Sequence, residues 1–132
     1  MLNKKLIFYS IYQNFSNPSS GIGWNSRERL SFTERYKNKF DGVICLALIH
    51  HVCIGKNVPI LMFIKYLGNF SKNFLLEFIS KDDAMVKNLL KNKENLSKYY
   101  NLDYLKKTIY EDYRIISENK ITDTRTLIHF KK

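Results

Sequence analysis

Acidic side chains are scarce in this chain: 12 Asp and Glu stand against 22 Lys and Arg, for a formal net charge of +10 over 132 residues. Taken alone, that balance favours an anionic partner. The lysines, however, are dispersed from Lys4 to Lys132 among abundant Asn, Ile, Tyr and Phe, as an AT-rich coding sequence would produce. A solvated basic surface therefore outweighs a dedicated polyanion site, and a non-enzymatic basic α/β module that binds nucleic acid or a protein partner is the alternative reading. Only two cysteines are present, Cys45 and Cys53. They exclude a disulfide framework of the small secreted kind and suit a reducing compartment. No apolar run has the length needed to cross a bilayer. Leu6 to Tyr12 superficially copies a signal peptide, but it is short, carries Ser10 and two tyrosines, and lacks a small-residue cleavage site. The expectation is a cytoplasmic chain with no membrane partner. It forms one domain, small for a complete doubly wound enzyme.

What is present is an alternation of apolar segments. Leu6 to Tyr12, rich in aromatic and β-branched residues, predicts a strand. Asn17-Pro18-Ser19-Ser20-Gly21-Ile22-Gly23 predicts a loop, and a helix is expected from about Ser26 to Tyr36. The run from Phe40 to Ile49 contains no charge after Asp41 and stops at His50-His51. It reads as a strand over 41–49 buried on both faces, the kind found inside parallel sheets. Ile60, Leu61, Phe63, Ile64 and Leu67 form a helical stripe, with Asn57 as the expected N-cap and Gly68-Asn69 as the stop. Phe74 to Ile79 predicts another buried strand. Helices are expected after Ser80-Lys81-Asp82-Asp83 and from Leu102 to Glu111. Tyr113 to Ile116 and Thr126 to Phe130 read as two strands whose short connection makes them antiparallel neighbours. The fold class expected is α/β, with a mainly parallel sheet that ends in an antiparallel β-hairpin.

Several residue groups could carry chemistry. Gly21-Ile22-Gly23 lacks a third glycine and is followed by Trp24, so it reads as a turn rather than a phosphate loop. Cys45, His50, His51 and Cys53 do not read as a zinc set, because Cys45 lies upstream in the expected strand, out of reach of ligands beyond its end; no metal is expected. His50 and His51 stand where open parallel sheets bind ligands, beyond the carboxyl end of a strand. One could serve as a general base; equally, one could be a hydrogen-bonded core imidazole while the other faces solvent. His129 reads as structural. Glu77 interrupts an apolar strand and needs a partner, either something held at the sheet edge or a neighbouring lysine.

Asn17-Pro18-Ser19, Gly23-Trp24-Asn25, Arg27-Glu28-Arg29, Leu46-Ala47-Leu48-Ile49-His50-His51, Asn57-Val58-Pro59-Ile60, Leu76-Glu77-Phe78-Ile79, Lys81-Asp82-Asp83 and Arg125-Thr126-Leu127 together resemble the C-terminal half of class I S-adenosylmethionine-dependent methyltransferases. Within that family the resemblance is to a nodulation-type, largely uncharacterised bacterial branch, and it covers nearly the whole chain. It implies a partial Rossmann-like sandwich in which Leu6 to Tyr12 is the third strand and Phe40 to Ile49 the fourth. It also implies S-adenosylmethionine as methyl donor and cofactor contacts at Ala47 and Leu48; in such a transfer His50 or His51, by their place at the strand end, would be the catalytic residue that removes the acceptor's proton. Asn14 stands where the family usually has an acidic residue on the adenine side of the cofactor. The family's glycine-rich loop and ribose-holding acid belong to strands that precede the segment matched. The resemblance therefore implies one incomplete domain over 1–132, weak cofactor binding or none and no activity from this chain alone, and an apolar edge on the fourth strand. The Leu6 to Tyr12 strand, a partner chain or self-association would cover that edge. The methyl acceptor is unidentified at this level.

Overall fold

The computed structural model describes residues 8–132. The sheet has four strands, β1 (Val43–Cys45), β2 (Asn73–Ile79), β3 (Arg114–Lys120) and β4 (Arg125–Lys131), in the order β1-β2-β4-β3. β1 and β2 are parallel, so the chain must cross over between them. It does so through a π-helical turn, His51–Gly55, and α2 (Ile60–Leu67). α1 (Phe32–Tyr36) precedes β1; α3 (Ala84–Leu90), α4 (Glu94–Ser97) and α5 (Leu102–Asp112) lie between β2 and β3.

The terminal hairpin forms as expected, with β4 antiparallel to β3 on one side and to β2 on the other. That insertion corrects the expectation of a mainly parallel sheet. Among the described residues one pairing is parallel and two are antiparallel, because β4 returns between β2 and β3 instead of adding to the edge. The expected first strand is also corrected where it can be seen. Residues 1–7 lie outside the described residues, and Phe8 to Tyr12 makes no strand pairing and is exposed.

Helix boundaries follow local chemistry. α1 starts later than the composition suggests, because Ser31 and Glu34 form a reciprocal capping box. Asn57 has φ +58° and is not the cap of α2, which begins after Pro59. Asp83 and Asn101 cap α3 and α5 by accepting from the Met85 and Tyr104 amides. Gly23, at φ +85°, turns the chain into a 3-10 turn at Trp24–Ser26, and a Cβ there would collide with Glu28. The Gly21-Ile22-Gly23 segment is therefore a turn, as its residues indicated.

Alternation along the strands sorts their side chains. Phe74, Leu76, Ile128 and Phe130 pair across β2 and β4 and are buried with Phe63, Ile64, Leu67, Leu105 and Ile109 from α2 and α5. Each such side chain contributes about 1.5–3 kcal/mol when fully buried. On the opposite face Ile44, Leu75 and His129 fall in register and line a shallow cavity of about 350 Å³. His129 Nε2 lies 2.8 Å from Asn73 Oδ1, a structural pairing across neighbouring strands.

Candidate functional site

β1 is much shorter than its apolar run. The strand ends at Cys45, Ala47 adopts φ +50°, and by Ile49 the backbone is helical. The expected strand over 41–49 is thus corrected to a strand followed by a tight bend. What makes the bend is Glu77. Its Oε2 accepts the Ala47 N–H at 2.7 Å, while Oε1 accepts from Arg125 Nη1 at 3.2 Å. A buried carboxylate thereby gains both a hydrogen bond and a counter-charge, and its partner is an arginine on β4 rather than a lysine. The signal in the sequence was the lone acid within Phe74-Leu-Leu-Glu-Phe-Ile79; nothing in it pointed to Ala47. Burial on both faces also fails for β1, since Ile44 is 68% exposed.

Beyond the bend, Leu48 carbonyl accepts the amides of His51 and Val52 and starts the π turn. Such turns recur at functional sites. The turn separates the two histidines. His50 is buried, 3% exposed, and its Nδ1 has no hydrogen-bond partner among the described residues. Burial, reinforced by the His51 ring 4.1 Å away, holds its pKa below the ordinary imidazole value. His51 is exposed.

A cavity of about 290 Å³ opens beside this turn, lined among others by Asn14, Phe15, Leu48, His51, Val52 and Lys56. The loop carrying Asn14 is held there by Phe15, which packs edge-on against Phe32 and Tyr66 at 6.2 and 6.1 Å. Asn14, Leu48 and His51 are therefore brought together, although more than thirty positions separate Asn14 from Leu48 in the sequence. Ala47 lies in the bend that leads to the cavity, and its amide is already committed to Glu77. His50 sits behind the turn and is absent from the lining. Asn14 Oδ1 accepts from Ser16 N and Oγ at 3.0 and 2.7 Å, so the group it can still offer is the amide NH₂.

A second cavity, about 280 Å³, meets the same turn at Cys53. Its walls include Cys53, Asn57, Pro59, Tyr99, Tyr100 and Tyr104. Tyr100 donates its hydroxyl to the carbonyl of Ile79, the last residue of β2, at 2.8 Å. Lys93 Nζ caps the π turn by donating to Ile54 O at 2.7 Å and Asn57 Oδ1 at 3.1 Å. Nothing in the order of residues pointed to this cavity beyond a scatter of tyrosines. Among the described residues no group of three or more His, Cys, Asp or Glu is placed to hold a metal ion. None of the described helices is long and apolar enough to cross a membrane.

Compared with known proteins, the chain is 29% identical over 126 residues, 95% of its length, to nodulation protein NoeA of Rhizobium meliloti (strain 1021). It spans 26% of that relative's length. No protein-family model matches the chain, and no solved structure matches it. The similarity is that of a distant relative much longer than this chain, and its name carries no chemistry.

Proposed function

We propose that this chain forms the C-terminal part of a class I S-adenosylmethionine-dependent methyltransferase domain acting on an unidentified acceptor. The observation that carries the reading is the cavity beyond the carboxyl end of β1, where Asn14, Leu48 and His51 meet. Open α/β sheets bind ligands at that end. The parallel β1-β2 pair followed by an antiparallel terminal hairpin is in keeping with the sheet ending that the sequence resemblance implies.

The lining fits part of the methyl donor. Leu48 and Phe15 offer an apolar wall for a purine, and the Asn14 NH₂ can donate to a ring nitrogen. No Asp or Glu lines this cavity among the described residues, so the ribose lacks the carboxylate that the family uses. Bound donor would supply an electrophilic methyl group; the protein's contribution is chiefly alignment of the acceptor with it. Transfer of that methyl to an acceptor oxygen or nitrogen would leave the donor as a neutral thioether, and Asn14, Phe15 and Leu48 are the residues that would hold it. His51, exposed at the cavity, can take the acceptor's proton on a ring nitrogen. Buried His50 supports the turn from behind.

Amide-resolved NMR with millimolar S-adenosylhomocysteine tests the reading, because that method detects weak binding. Saturable shifts are expected at Asn14, Leu48, His51 and Lys56, and should disappear in Leu48→Arg. If those resonances stay fixed while the chain remains folded, the reading is wrong.

A further inference from the structure

We infer that the cavity lined by Asn14, His51 and Lys56 binds an anionic nucleoside, of the nucleoside 5′-monophosphate class, and that Lys56 selects for the anionic group. The ligand class rests on the lining of that cavity and not on the methyl-transfer reading. Where that reading holds, such a ligand competes with the methyl donor for the same walls.

The polar groups restrict the ligand most. No Asp or Glu lines this cavity among the described residues. What the other polar residues can offer is set by their neighbours. Asn14 Oδ1 is taken up by Ser16, which leaves the Asn14 NH₂ as donor. Gln13 is occupied at both ends, donating to the Asn14 carbonyl and accepting from the Ser19 hydroxyl. Lys56 forms no ion pair among the described residues, where the three basic partners are Lys106, Lys120 and Arg125. The cavity thus presents an amide NH₂, an uncompensated ammonium and the His51 imidazole. An ammonium with no carboxylate beside it is best satisfied by an anionic oxygen, through a charge-assisted hydrogen bond. The net charge of +10 adds a long-range field that draws anions to the same chain.

The walls supply the rest. Phe15, Leu48 and Val52 give apolar surface, and the Phe15 ring is fixed edge-on against Phe32 and Tyr66. Such a wall suits a planar ring packed offset or edge-on. The donors stand on two elements, Asn14 on the loop that precedes α1, His51 in the π turn and Lys56 at its C-terminal cap. A ligand that meets both elements needs acceptors in two places. A purine ring nitrogen and a phosphate on one nucleoside provide them. A volume of about 290 Å³ is the size of a small-molecule site, with room for one nucleotide rather than a nucleic-acid helix.

The test uses the whole 132-residue chain and three probes: adenosine 5′-monophosphate, adenosine and S-adenosylhomocysteine. In an amide-resolved NMR titration the monophosphate should shift Asn14, Leu48, His51 and Lys56 saturably. At low salt it should bind about tenfold tighter than adenosine. That advantage should shrink at high salt, as a charge-assisted contact at an exposed lysine is screened. Lys56→Gln should bring the two probes to near-equal affinity without moving the thermal midpoint. Lys65→Gln, which removes the same charge from an exposed position on α2, should leave the monophosphate's advantage intact. Equal binding of adenosine and its monophosphate, or equal effects of the two lysine variants, overturns the inference. So do shifts scattered over the lysines of the whole surface. The third probe separates the two readings. If the monophosphate behaves as expected and S-adenosylhomocysteine does not bind, the ligand class stands and the methyl-transfer reading falls. If S-adenosylhomocysteine binds and the monophosphate has no advantage over adenosine, this inference falls and the methyl-transfer reading survives.

Discussion

The Glu77 carboxylate and the Ala47 amide meet at 2.7 Å across 30 residues of sequence, and that contact ends β1. Arg125 completes the unit from β4 with Nη1 at 3.2 Å from the same carboxylate. Removing the acceptor leaves a donor and a guanidinium without their partner. Glu77→Ala is therefore expected to cost about 2–3 kcal/mol, most of it from the orphaned amide. Arg125→Ala should cost about 1 kcal/mol, because the arginine side chain is 41% exposed and solvent takes over part of its role. Urea unfolding of both single variants and the double variant measures the coupling. Additive losses would show that the two contacts act independently.

Ala47 holds φ +50°, a conformation that costs a non-glycine residue about 1–2 kcal/mol. Ala47→Gly relieves that cost and gives back part of it through the more flexible unfolded chain, so its stability should lie within about 1 kcal/mol of the parent. Ala47→Val places a β-branched side chain in the same bend and should lose about 1–2 kcal/mol or more. Thermal unfolding of the pair decides. Equal midpoints would mean that the bend does not constrain this position.

His50 carries a depressed pKa because folding buries it. The unfolded chain therefore takes up a proton at a higher pH than the native one. The stability linked to neutral His50 is complete above about pH 6.5 and falls as pH drops toward the lowered native value. His50→Leu removes this dependence and the unpartnered Nδ1 together. In urea titrations from pH 8 to 5, the variant should gain on the parent progressively below pH 6.5. A constant gap across that range would rule out His50 as the titrating group.

Burial raises the Cys45 thiol to about 11 and the Cys53 thiol to about 12. At pH 8 the native thiolate population should be at least about a hundredfold below that of the unfolded chain. A colorimetric disulfide reagent should consequently label both cysteines only as fast as the protein opens. Rapid labelling of either residue in the folded state would contradict its placement in the core.

Ile44 is 68% and Leu46 58% exposed at the β1 side of the sheet, where the sequence resemblance implied an apolar edge. Ile44→Lys should leave the unfolding midpoint within about 0.5 kcal/mol of the parent, as exposed substitutions do. It should also lower light scattering at high protein concentration by charging an edge open to pairing. Unchanged scattering would argue against this edge as a contact surface.

Much of the fold was legible because periodicity and local capping act over short distances. The stripe in α2, the presence of α3 and α5, the buried strand β2 and the terminal hairpin all follow from neighbours in sequence. The run from Phe40 to Ile49 misled for the same reason. Its apolar residues satisfy a strand and a buried helical turn equally, and Glu77, thirty residues on, chooses between them. For the site, the resemblance had singled out Asn14 and Leu48, and the end of the apolar run His51, but their meeting in one cavity depends on Phe15 docking against Phe32 and Tyr66. The second cavity was hidden because its tyrosines serve no local pattern.

By itself the sequence determined which segments are apolar, that helices alternate with them, and that the last two strands must run antiparallel, since a short connection permits nothing else. Only the tertiary structure decided that β4 inserts beside β2, which brings Arg125 to Glu77 and turns the chain at Ala47. It also divided His50 from His51, burying one and leaving the other at the cavity. Burial and charge pairing depend on residues distant in sequence, so these outcomes exist only once the sheet has assembled.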